Sequence, residues 1–174
     1  MAQTIVPDAD IAIGSWVPFA DFCYSDLADA LDSTYASNTA SSQDTLQVGF
    51  ANPASTPSGT TATGYFRAKC NSTTRILTVK IFQGAVEKGT IAQTITTTAT
   101  DYSFSATGIT DYNDLSMTFL CSAKTPTVYR AYIQVPDAAG GSSILKVSGV
   151  AQASISKVSG VAEASINKVS GVQN

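Results

Sequence analysis

The sequence predicts an all-β chain, an antiparallel β-sandwich of jelly-roll type with a C-terminal 11-residue-repeat tail. Three observations lead there. Apolar and polar residues alternate with a period of two in several short segments, the mark of a half-buried sheet. Clusters of turn-forming residues separate those segments. From Ile144 onward, one short sequence returns three times.

Composition fits the same class. The 174 residues suit one domain with an appendage. Charged residues are 13%, about half the share usual in a soluble domain. Serine and threonine make up about a quarter of the chain, as uncharged outer faces of sheets would require.

The body covers residues 1–138. Its first strand is expected around residues 15–17. Residues 21–31 have room for a helical turn or two, with Phe22, Leu27 and Leu31 as the apolar side. Weaker strands are expected at 46–50, 64–69, 91–97 and 102–104. The clearest alternation is Leu77-Thr78-Val79-Lys80-Ile81, with Leu77, Val79 and Ile81 on one face. Leu115, Met117, Phe119 and Cys121 repeat it against Ser116, Thr118 and Leu120. Tyr129, Ala131, Ile133 and Val135 do so again, with Arg130 and Gln134 facing away. Between these lie Asn52-Pro53, Pro57-Ser58-Gly59, Asn71-Ser72, Gln83-Gly84 and Gly108-Ile109-Thr110-Asp111, all good turn chemistry. About eight short strands with little helix point to a sandwich.

Residues 139–143 read as a Gly/Ser joint, and residues 144–174 as a repeat tail used for assembly or docking. The tail runs ILKVSGVAQAS, ISKVSGVAEAS, INKVSGVQN. Eleven residues in three helical turns would give about 3.67 per turn, the period of a right-handed coiled coil. Against a helix, the Gly, Val, Ile and Ser of each repeat cost roughly 3 kcal/mol relative to alanine. An odd period in a straight strand would flip each valine to the opposite face. Extended repeats therefore need an internal turn, and the Ser-Gly pairs are placed for one. This turn-interrupted form is favoured. In either form Val147, Val150, Ile155, Val158, Val161, Ile166 and Val169 are the expected assembly residues. Charge divides at the joint: residues 1–139 carry 7 basic and 12 acidic side chains, and residues 140–174 carry three Lys and one Glu.

No histidine is present, which excludes Ser-His-Asp and Cys-His catalysis and imidazole acid–base chemistry. Asp111-Tyr112-Asn113-Asp114 and Asp8-Ala9-Asp10 gather oxygen ligands, but no EF-hand spacing accompanies them, and the turn reading is favoured. Eleven Asp give no sign of a paired catalytic carboxylate. No catalytic, cofactor or metal site is expected, and the chain is read as not an enzyme. Trp16, Tyr24, Tyr65, Tyr112, Tyr129 and Tyr132 could form a sugar-stacking platform, although core packing is the favoured reading for most. Cys23, Cys70 and Cys121 lack CxxC spacing and read as buried thiols. With a net charge of −3 and no basic cluster, nucleic acid is not an expected partner. No apolar run approaches the roughly 18 residues that span a membrane. The first residues lack the basic and apolar regions of a signal peptide.

Ile5-Val6-Pro7-Asp8-Ala9-Asp10 with Gly14-Ser15-Trp16 resembles the start of a sandwich domain common among structural proteins of tailed bacteriophages. Leu77 through Gly84, Ile109 through Leu115, and Val135-Pro136-Asp137-Ala138 carry the same resemblance. The Lys-Val-Ser-Gly-Val-Ala repeats are similar to repeats at the ends of virion proteins. Residues 21–42 depart from the pattern, being rich in Ala and Ser where an acidic strand-forming stretch is usual. The resemblance implies an accessory virion protein, a capsid decoration or head-fibre protein or a tail accessory, made in the host cytoplasm. It transfers no catalytic residue. Expected partners are other virion proteins and further copies of the chain, with a trimer as the first candidate. The alternative is a carbohydrate-binding or adhesin module with a glycan as ligand.

Overall fold

The structure, a computed structural model, describes residues 2–29, 31–39, 44–71, 75–121 and 126–137, and four two-residue strands further on. Contacts divide the chain into two units, Met1–Asp137 and Ala138–Asn174.

The first unit holds eleven strands and one short helix among its described residues. In chain order these are β1 (Ala2–Ile5), β2 (Pro7–Ala12), β3 (Trp16–Pro18), α1 (Cys23–Ala28), β4 (Ala36–Asn38) and β5 (Thr45–Phe50). They continue with β6 (Thr61–Cys70), β7 (Arg75–Gln83), β8 (Val86–Ile95), β9 (Thr100–Thr107), β10 (Leu115–Cys121) and β11 (Pro126–Pro136). Two antiparallel sheets form the sandwich. The larger runs β3-β4-β11-β6-β9, with β1 also on β11; the smaller runs β2-β5-β10-β7-β8. The last eight strands pair in a nested way: β4 with β11, β5 with β10, β6 with β9 and β7 with β8. One long hairpin, closed by the Gly84 turn between β7 and β8, has folded across two layers.

The alternating faces meet between the layers. Leu77, Val79 and Ile81 of β7 are fully buried, as are Leu46 and Val48 of β5 and Met117, Phe119 and Cys121 of β10. The opposing sheet supplies Phe66, Ala131, Ile133 and Val135. Phe66 stands at the centre, with ring centroids 5.2 Å from Tyr102, 6.4 Å from Phe104 and 6.1 Å from Phe119. Where β8 and β9 come together, Gly89 sits so close that an added Cβ would lie 2.5 Å from the Ser105 carbonyl oxygen.

Four particulars differ from the sequence reading. Strands β1, β2 and β4 add to those expected: β2 is an edge strand interrupted by two bulges, and β1 and β4 are short strands that share one side of β11. Helix α1 buries Cys23, Asp26 and Leu27, whereas Phe22 and Leu31 are exposed. Its inner side follows the 23/26/27 spacing, and Asp26 is accommodated there by accepting hydrogen bonds from the Phe19 and Ala20 amides. A bulge in β11 between Val128 and Arg130 moves Tyr129 off the inner face, and Val128 takes the core position. Ser116 faces away from the core yet is buried, with its hydroxyl accepting a hydrogen bond from Gln47.

In the second unit the described strands form two hairpins. Strand β12 (Lys146–Val147) pairs with β13 (Val150–Ala151), and β14 (Lys157–Val158) with β15 (Val161–Ala162). Val147 is opposite Val150 and Val158 is opposite Val161, so both hairpins have the same register. Ile155, Ile166, Val169 and the joint at 139–143 lie outside the described residues.

Candidate functional site

Alternation that buries one face of β6 and β11 turns the other face outward, and there the register sets residues side by side. Across β11, β6 and β9 the successive rungs are Arg130, Arg67 and Asp101; Tyr132, Tyr65 and Ser103; then Gln134, Thr63 and Ser105. Thr4 of β1 extends the last rung beside Gln134.

On the middle rung, Tyr65 and Tyr132 stack with ring centroids 4.6 Å apart and planes within 7°. Both are half-buried. Each ring spends one face on the other. The far face of Tyr132 borders a cleft of about 330 Å3 lined by Thr4, Val6, Asp29, Arg130 and Gln134. This cleft exists because β11 has three different neighbours along one edge. Strand β4 pairs at Thr127 and Val128, β1 pairs at 133–136, and α1 packs against the stretch between. A second cleft, of about 410 Å3, is lined by Thr61, Thr63, Ser105, Thr107 and Gln134. Gln134 belongs to both clefts and joins them into one polar path beside the tyrosines.

The rung above is an ion network. Arg67 holds Asp32 through two parallel hydrogen bonds, of 2.9 Å and 3.0 Å, and reaches Asp101 at 3.0 Å. Arg130 reaches the other Asp101 oxygen at 2.7 Å. Partial burial pushes the Asp101 carboxyl up, but the Arg130 and Arg67 guanidiniums outweigh it and hold the group below the usual carboxylate range. Asp101 is therefore ionised at neutral pH and the network is intact there. Fork geometry of this kind orients the guanidinium planes as well as pairing charge. Arg130 Nε is buried and has no partner among the described residues, which leaves a donor unused beside the cleft. Beyond the network a second aromatic group runs toward β3. Phe19 lies 5.3 Å from Tyr35, Tyr35 lies 6.0 Å from Tyr129, and the Lys69 ammonium sits 5.4 Å over the Tyr129 ring.

The structure thus sorts the six aromatics considered for a platform. Trp16, Tyr112 and Tyr129 are buried, and Tyr24 packs against the core. Tyr65 and Tyr132 alone of the six are brought together on an outward face. Period-two alternation could place Tyr132 with Arg130 and Gln134, but nothing local pairs it with Tyr65. Sequence reasoning missed Arg67, Asp101 and Asp32 for the same reason.

Two of the Asp residues considered as oxygen ligands act on backbone amides. Asp111 accepts from the Asn113 amide, and Asp10 accepts from the Cys23 and Tyr24 amides at the start of α1. Among the described residues no group of three His, Cys, Asp or Glu is placed to hold a metal ion. A cavity of about 450 Å3 lies between the β5–β6 and β9–β10 loops. The Tyr112 ring in its wall is buried, and its hydroxyl ties the loops by donating to the Thr61 carbonyl at 3.1 Å. Cys23, Cys70 and Cys121 are buried. Burial, with the Asp10 and Asp26 charges, pushes the Cys23 thiol up to about 12, so it is no nucleophile.

No protein-family profile matches the chain, and no curated protein sequence does. Among solved structures it is similar to the C-terminal CBM6 of LamC, a marine laminarinase from Zobellia galactanivorans. That match has 8% identity and a TM-score of 0.49, and covers 79% of this chain and 100% of that one. The CBM6cm-2 module of Cellvibrio mixtus lichenase 5A, solved with cellotriose, matches at 14% identity and a TM-score of 0.46, over 80% of this chain and 100% of that one. The enzymatically active domain of tailspike protein 4 from bacteriophage CBA120 matches at 13% identity and a TM-score of 0.46. It covers 78% of this chain and 19% of that one. Likeness at this level says nothing about which residues bind or act.

Proposed function

We propose that the chain is a non-catalytic carbohydrate-binding module whose binding face is the outer side of the larger sheet. The observation that carries this is the Tyr65–Tyr132 pair, set between fixed charged side chains and a polar cleft. A sugar ring has an apolar C–H side that packs on an aromatic face, and hydroxyls that need planar, paired hydrogen-bonding groups. Tyr132 supplies the aromatic face. Asp29, Arg130 and Gln134 line the same cleft, and about 330 Å3 is room for one sugar unit. The second cleft continues the path with hydroxyl and amide groups, which fits a chain of sugars. Nested strand pairing supports the jelly-roll reading of the sandwich.

A glycan array followed by calorimetry on the best ligand tests this reading. Tyr132→Ala is expected to weaken binding by about 2 kcal/mol, roughly thirtyfold, as truncating a central aromatic contact does. The melting temperature should stay close to that of the parent. Absence of binding to any glycan, or a ligand that ignores Tyr132→Ala, would overturn the proposal.

The repeats support a second reading, in which the chain is a structural component of a virion and joins it through its tail. Two repeats form the same hairpin in the same register, as expected of units that meet equivalent sites. Deleting residues 144–174 is expected to leave a folded sandwich that no longer incorporates into particles. Normal copy number of the truncated chain in purified virions would refute it.

A further inference from the structure

The first 66 residues contain seven Asp and no Lys or Arg; the first cation is Arg67. Part of this acidic segment, residues 7–22, forms one border of the sandwich. Strand β2 is the edge of the smaller sheet and pairs only with β5; β3 is the edge of the larger and pairs only with β4. The turn between them is closed by the Trp16 amide donating to the Ile13 carbonyl, so both sheet edges lie next to one another. The first 66 residues also hold seven of the nine large apolar side chains that are exposed among the described residues. Ile11 is 56% exposed, Ile13 42%, Val17 47%, Phe19 57% and Phe22 53%. Asp8 and Asp21 are exposed beside them. Apolar side chains and negative charge therefore coincide on one strip, while the β3 edge offers no free amide because the Trp16 N–H is spent on Ile13 and Pro18 has none, so this is a surface that docks side chains rather than adding a strand.

An occupant must be apolar and basic. Another acidic sandwich edge would repel this one. The repeats fit on both counts: each described one offers paired valines, and residues 140–174 carry three Lys against one Glu. A tail has three equivalent repeats whereas a sandwich has one such border, so one body cannot satisfy its own tail. We propose that the β2–β3 border receives a Lys-Val-Ser-Gly-Val-Ala repeat from a neighbouring copy of the chain. A repeat seated there places its lysine in the field of Asp8 and Asp21 and covers Val17 and Phe19. Copies are thereby joined head to tail, and adjoining binding faces gain avidity for a repetitive ligand. This rests on the reading of the repeats as assembly elements.

Sedimentation velocity of the full chain across a range of protein concentrations tests it. The chain is expected to self-associate at 50 mM salt, at least tenfold more weakly at about 0.5 M, where charges are screened within a few ångströms. Reversing Lys146, Lys157 and Lys168 together to Glu is expected to abolish association. So are Phe19→Asp and, independently, Val17→Asp, each with the melting transition retained. Association that survives both border substitutions but not the lysine reversal would overturn the border as the docking site while leaving assembly through the repeats intact. A chain that is monomeric at every concentration would overturn both.

Discussion

Phe66→Ala is expected to be the most damaging single core substitution, lowering stability by about 3–5 kcal/mol. The ring is 1% exposed and touches aromatic partners from both layers: Tyr102 and Phe104 on its own sheet and Phe119 on the other. Its removal forfeits buried area and several edge and stacked contacts at once, and leaves a cavity that flanking strands cannot close without breaking their ladders. Urea denaturation, followed by tryptophan fluorescence from buried Trp16, measures the change. Phe66→Leu keeps most of the volume and should lose markedly less. Equal losses in the two variants would show that ring contacts contribute little beyond volume.

Gly89→Val is expected to cost about 3 kcal/mol or more, although position 89 is neither buried nor in a tight turn. A Cβ there would lie 2.5 Å from a backbone oxygen and 2.9 Å from the Ala106 Cα, so the collision is with main chain and cannot be relieved by a rotamer change. Relief requires β8 to move away from β9, which opens the sandwich along the side where the two sheets approach. Gly64 offers a contrast. Its virtual Cβ meets the Ile81 Cδ1 at 2.7 Å and the edge of the Phe104 ring, both side-chain atoms that can shift. Gly64→Ala should thus be the milder change, and thermal melting of the two variants checks the order. Comparable melting temperatures for Gly89→Val and the parent would mean that the β8–β9 approach is not structurally required.

Much of the fold was legible because it is encoded locally. Leu77-Thr78-Val79-Lys80-Ile81 needs only the pleat to place three side chains inside, and β7 does so. Leu115 through Cys121 behaves likewise. Absence of histidine removed whole classes of chemistry without any structure. Alternation failed where edges or bulges intervene. One inserted residue in β11 carried Tyr129 to the outer side, and α1 turned Phe22 and Leu31 to solvent by burying Asp26 against backbone amides.

The binding face belongs to the other category. Tyr132 could be assigned to an outer face from its neighbours Arg130 and Gln134, but a platform needs Tyr65 beside it, and an ion network needs Arg67 next to Arg130 and Asp101. These neighbours come from strands far apart in the chain, and only the register of the folded-over hairpin makes them adjacent. Periodicity within a strand is dictated by the geometry of consecutive residues, so in an uninterrupted strand such as β7 the sequence alone determines which side chains face in or out. Which outward residues meet is decided by how distant strands align, through the sum of core packing and ladder hydrogen bonds over the whole sandwich, and that information exists only in the tertiary structure.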